Sequence, residues 1–136
     1  MARIMAFDYG QKRVGIAATD PLQIIANAVG TIETKLVFPF IKNYLAKEPV
    51  EAFVVGYPYN DGFKDNAVLP HVKKFIAALE KAYPHIPVVK VDESFTSRMA
   101  METLVASGVS KKERRKKENL DKISATIILQ SYMEGR

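Results

Sequence analysis

Residues 51–58, EAFVVGYP, carry apolar side chains in a nearly unbroken run that ends on Gly56 and Pro58. A strand with one wet face alternates apolar and polar residues; a strand without that alternation is covered on both sides. Residues 86–93, IPVVKVDE, have the same character. Such strands call for helices on the sheet, and the chain supplies them. VFPFIKNYLAKE (37–48) sets Phe38, Ile41, Tyr44 and Leu45 at helical spacing, with Pro39 in the first turn. A second helix is expected over 67–83, with Val68, Val72, Phe75, Ile76 and Leu79 on one face and Pro70 in its first turn. Strands separated by helices imply right-handed parallel crossovers.

The N-terminal stretch RIMAFDYGQKRVGIAATD reads as two strands, Arg3 to Asp8 and Arg13 to Thr19, joined by a short polar turn. NAVGTIET is a third strand, and the three can pair as an antiparallel meander. SRMAMETLVASG is a helix stopped by Gly108. NLDKISATIILQSYME is the last helix, with Asn119 as its N-cap and Leu120, Ile123, Ile127, Ile128 and Met133 as its core stripe. The order is βββαβαβαα, an α/β class. At 136 residues, with no repeat or linker, a single domain over 1–136 is expected. There is no cysteine, which excludes disulfides and thiolate metal sites. No apolar run approaches the roughly 18 residues of a membrane span, and no signal-peptide pattern is present; a cytoplasmic location and no membrane partner are expected.

The net charge of +5 is concentrated in one place. Residues 110–117, SKKERRKK, hold six Lys/Arg and one Glu, and the rest of the chain balances to zero. A solvated loop is the plain explanation; a surface for a polyanion, nucleic acid above all, is the sharper one.

Acidic residues recur at element ends. Asp8 closes the first strand, Asp92 and Glu93 the last, and Asp121 falls in the first turn of the final helix. Each has a structural explanation: a turn cap, a solvated strand end, an offset to the helix dipole. The C-terminal ends of parallel strands nevertheless share one edge of an α/β sheet, and a helix crossing that edge brings a third carboxylate to the other two. Converging carboxylates repel unless a cation sits among them. Mg²⁺ or Mn²⁺ suits oxygen donors, and a pair of such ions serves phosphodiester cleavage.

Four segments, DYGQKRVGIAATDP, VVGYPYNDG, VDESFTSRMA and LDKISATIILQSYME, resemble in order four motifs of the YqgF family, also called RuvX, and together they span essentially the whole chain. The resemblance implies a ribonuclease H-like fold, a mixed five-stranded sheet of order 3-2-1-4-5 flanked by helices. It implies a metal-dependent nuclease that matures the 5′ end of pre-16S ribosomal RNA, or, in the family's other description, a Holliday junction resolvase. The family's acidic positions fall on Asp8, Glu93 and Asp121 as catalytic residues and metal ligands, with Asp92 as the competitor to Glu93. Neighbouring strand residues face opposite ways, so one of those two reaches the metal. Lys12, Arg13 and Lys122 match the family's basic positions; Arg98, Lys111, Lys112, Arg114, Arg115, Lys116 and Lys117 complete the expected nucleic-acid contacts. Ser94 stands where the family motif has arginine, and no acid follows the fourth strand before Asp61. Tyr57 and Tyr59 pack their loop or stack on an unpaired base.

Two other classes compete. DYGQKRVG is similar to the first phosphate loop of actin-like ATPases and sugar kinases, which need a second domain for adenosine. A non-catalytic RNA-binding module for ribosome assembly would keep the fold without turnover. RNA is the favoured partner and branched DNA the alternative. Cutting a junction requires paired sites in a symmetric dimer, whereas RNA cleavage suits a monomer or a weak homodimer.

Overall fold

The computed structural model describes residues 2–57, 69–92 and 117–135, with the side chains of the last helix from Ile123 onward. Five strands form one sheet: β1 (Arg3–Tyr9), β2 (Arg13–Thr19), β3 (Ala26–Glu33), β4 (Val50–Tyr57) and β5 (Val88–Asp92). A 3₁₀ turn (Thr34–Leu36) leads into α1 (Val37–Lys47); α2 (Leu69–Ala82) precedes β5, and α3 (Lys117–Gly135) closes the described chain. The strand order is β3-β2-β1-β4-β5, as the family resemblance implies. β1–β2 and β2–β3 pair antiparallel, while β1–β4 and β4–β5 pair parallel. β2 and the start of β1 have the bounds read from the sequence, and the other strand ends move by one or two residues. Pro39 and Pro70 both lie in first turns, where a missing N–H costs little. The helix expected over 97–108 lies outside the described residues.

The two faces of the sheet bury different things. On the first face Met5, Phe7, Val14, Ile16, Phe53 and Val55 pack against Val37 and Ile41 of α1 and Val72, Phe75, Ile76 and Leu79 of α2. Aromatic rings fill its centre: Phe7 meets Phe53 at 5.8 Å and Phe75 edge-on at 5.4 Å. Such contacts add about 0.5–1.5 kcal/mol each beyond the area they bury. On the second face Ile4, Ala6, Ala17, Ala52 and Val54 receive Ala125, Ile128 and Leu129 of α3. Small residues on both sides let that helix lie close to the strands.

The final helix departs from its expected start. It begins at Lys117, so Asn119 lies inside it and is not its N-cap. Lys and Glu are good helix formers, and they carry the helix back into the basic segment. Its buried stripe is also wider than expected: Ser124, Ala125 and Leu129 are buried beside Ile127 and Ile128, while Ile123 and Met133 are half-buried. Leu120 falls among the helix residues whose side chains lie outside the description.

Candidate nuclease site

The site begins at the β1–β2 hairpin. Asp8 is directly opposite Gly15, which in turn is opposite Thr31 of β3. Antiparallel partners point to the same face, so Gly15 sets no side chain beside the carboxylate. Alternation from Ile4 and Ala6 places Asp8 on the second face, that of α3. Tyr9, the next residue, belongs to the first face and stacks on Phe75 at 4.8 Å. Burial raises its phenol above the usual value, which keeps it neutral. Asp8 is half-buried, at the edge where β1, β4 and β5 all end.

The turn beyond Asp8 is tight. A Cβ at Gly10 would come within 2.6 Å of the Arg13 carbonyl oxygen, so the backbone itself demands glycine there. Thr34 braces the turn from the far side, its N–H donating to the Lys12 carbonyl at 3.0 Å and its hydroxyl to the Gly10 carbonyl at 2.6 Å. Lys12 is exposed and Arg13 half-buried. Arg13 alternates with Gly15 and Ala17, which puts it on the face of Asp8. Beside the turn lies an open depression of about 530 Å³, lined by Gln11, Lys12, Arg13, Glu33, Thr34 and Lys35. The last three were not singled out from the sequence; the signal available was a charged stretch, ETK, at the end of a strand.

At the other carboxylate position, Val89 and Val91 pack on the second face, while Val88 packs on the first. Asp92 is exposed and, by the same alternation, stands on the face opposite Asp8. Glu93 and Arg98 lie outside the described residues, as do Lys111, Lys112, Arg114, Arg115, Lys116 and Tyr59. Lys117, Asp121 and Lys122 are placed as backbone in α3. Tyr57 packs on the first face with the Lys90 ammonium 4.8 Å from its ring centre, a structural role. Among the described residues no three His, Asp or Glu side chains group as a metal site.

The direction of α3 bears on Asp121. Its C-terminal residues Gln130, Met133 and Glu134 line a second depression with Gln23, Ile24, Ile25 and Ala26, which lie around the β2–β3 loop at the opposite end of the sheet from Asp8. The helix packs across β1, β2 and β3, so it runs back along them and its first turns head for the Asp8 edge.

Residues 2–135 match the family model RuvX, described as Holliday junction resolvase. A protein of Porphyromonas gingivalis named "Putative pre-16S rRNA nuclease" is 44% identical over 99% of this chain and 98% of its own length. A protein of the same name from Amoebophilus asiaticus is 49% identical over 99% of this chain and 96% of its own. Among solved structures, T. thermophilus RuvC in complex with Holliday junction substrate superposes with a TM-score of 0.61 at 15% identity, covering 99% of this chain and 96% of that one. That likeness establishes the ribonuclease H-like fold.

Proposed function

The chain belongs to the RuvX family, and from that premise we propose that it is a nuclease acting on the 5′ leader of pre-16S ribosomal RNA, with Asp8 at the centre of its carboxylate site. The observation that carries this reading is the position of Asp8. It is half-buried at the shared end of three parallel strands, on the face to which α3 returns, beside a glycine. Near full-length relatives named for pre-16S rRNA support the choice of substrate.

Asp8, Glu93 and Asp121 form the proposed catalytic set. Glu93 is preferred to Asp92 because Asp92 stands on the face away from Asp8, while Glu93 holds the acidic position of the family motif. Asp121 is one helical turn before Ala125, which lies on the sheet. The rise of α3 from Gln130 back to Asp121 is about 13 Å. The climb of β1 from Ile4 to Asp8 is about 13 Å as well. The helix therefore has the length to bring Asp121 level with Asp8.

This donor set fits a divalent cation: hard carboxylate oxygens, one of them described, half-buried at the strand edge and directly opposite Gly15. Mg²⁺ or Mn²⁺, held by Asp8, Glu93 and Asp121, would supply Lewis-acid stabilisation of the phosphodiester transition state. The chain's own contribution is placement. Asp8 is fixed by its ladder with Gly15, and Lys12 and Arg13 flank it as phosphate contacts that position without reading sequence. Arg98, Lys122 and the basic residues Lys111, Lys112 and Arg114–Lys117 extend that grip.

Resolution of a DNA junction is the second reading, favoured by the RuvX description and by the RuvC fold match. One experiment decides between them: cleavage of a pre-16S 5′-leader RNA and of a four-way DNA junction, side by side, with Asp8→Asn as control. Cutting of the RNA alone supports the proposal, and cutting of the junction alone replaces it.

A further inference from the structure

The depression beside the hairpin turn lies outside the carboxylate set, yet it shares a wall with it. Arg13 is on the Asp8 face and also lines the depression. Three cations, Lys12, Arg13 and Lys35, surround it against one carboxylate, Glu33. Its volume of about 530 Å³ is in the range of small-ligand clefts, room for a sugar–phosphate unit. Its two walls are tied together by Thr34, whose bonds to the Lys12 and Gly10 carbonyls hold the cationic rim in place before anything binds. Lys35 meets Glu33 at 3.3 Å, with 79% and 61% of their side chains exposed. An ion pair that open is weak, and a phosphate competes with it on favourable terms.

We propose that this depression holds a backbone phosphate of the nucleic acid just outside the cutting site, with Lys35 as a positioning residue and Glu33 as the counter-charge that the phosphate displaces. The proposal rests on the nuclease reading and adds a stretch of substrate path to it: the strand would run from Asp8 over Arg13 and across the turn towards the start of α1. Opposite signs are therefore expected from two neighbouring residues.

The test is equilibrium binding of a labelled pre-16S leader RNA by the full chain carrying Asp8→Asn, over a range of salt. Adding Lys35→Gln should weaken binding about threefold to tenfold and flatten the log–log salt slope by about 0.7, the value of one phosphate contact on a single strand. Adding Glu33→Gln should tighten binding about twofold. Lys47→Gln makes the same charge change at the end of α1 that leads back to the start of β4, away from the Asp8 edge, and serves as the reference. In the cleaving enzyme the Lys35→Gln effect falls on KM, as lost uniform binding does. The inference is overturned if Lys35→Gln matches Lys47→Gln in affinity and slope, or if Glu33→Gln weakens binding. A wild-type chain that binds RNA without cutting it would instead count against the reading of the carboxylate site.

Discussion

One strand, β1, serves two faces with opposite chemistry. Met5, Phe7 and Tyr9 point into an aromatic layer under α1 and α2; Ile4, Ala6 and Asp8 point towards α3 across a floor of alanines. The first face is thick, and its stability comes from large rings that interdigitate. The second is thin, and what it gains is proximity, since alanine opposite alanine lets a helix approach the strands. A carboxylate needs that kind of surface. It must be held rigidly yet stay open to substrate, and the aromatic face would bury it.

The sharpest way to break this comparison is to exchange the tips of the two faces. Asp8→Asn is expected to lower metal-dependent cleavage by about a thousandfold or more, in line with several kcal/mol of transition-state stabilisation, with an unchanged melting temperature. Tyr9→Ala, one residue along, should do the reverse: it should lower the melting temperature by several degrees and leave turnover near wild type below it. If Asp8→Asn keeps full activity, the second face is not the working one.

Next in size are the layers beneath. Phe53 is fully buried among rings, and Phe53→Ala should cost about 3–5 kcal/mol in chemical denaturation. On the alanine face the vulnerable change runs the other way. Ala17→Leu should cost about 1–3 kcal/mol by overpacking and, by lifting α3, should also reduce cleavage in samples that remain folded. An Ala17→Leu protein with native activity would show that the closeness of α3 does not matter to catalysis.

Two smaller effects refine the picture. Asp20 accepts backbone N–H bonds from Leu22, Ile24 and Ile25, and these hold its carboxyl below the usual range. A lowered folded value means that its contribution is present above the unfolded carboxylate pKa, about 3.9, and is lost as pH falls through the folded one. The gap in melting temperature between wild type and Asp20→Ala should therefore narrow as the pH is taken from 6 to 3. Smallest of all, Asp92→Asn should leave cleavage within about twofold; a large loss would mean that the aromatic face also contributes to the site.

The contrast between the faces explains what could be read in the sequence. Unbroken apolar runs such as AFVV, and the alternation around Asp8, announce themselves, so the strands and the first-face helices were legible. Alanine carries little hydrophobic signal, so Ser124, Ala125 and Ala17 did not stand out as the packing surface they are. The choice between Asp92 and Glu93 was open for a similar reason. Alternation says that the two differ, and the proposal chooses between them by the face on which α3 packs. Lys35 and Thr34 were silent because their role depends on a hairpin turn that is 22 or more residues away in the chain and adjacent in space.

The turn at Gly10 is short enough to act as a phase setter. Its close backbone approach fixes how many residues separate the bend from the carboxylate, and a pleated strand changes sides at each residue. One residue gained or lost between Asp8 and that bend would trade the positions of an acid and a tyrosine. The sheet would still form, with the proposed metal ligand turned into the dry layer. In this hairpin, length therefore matters as much as the identity of the acid.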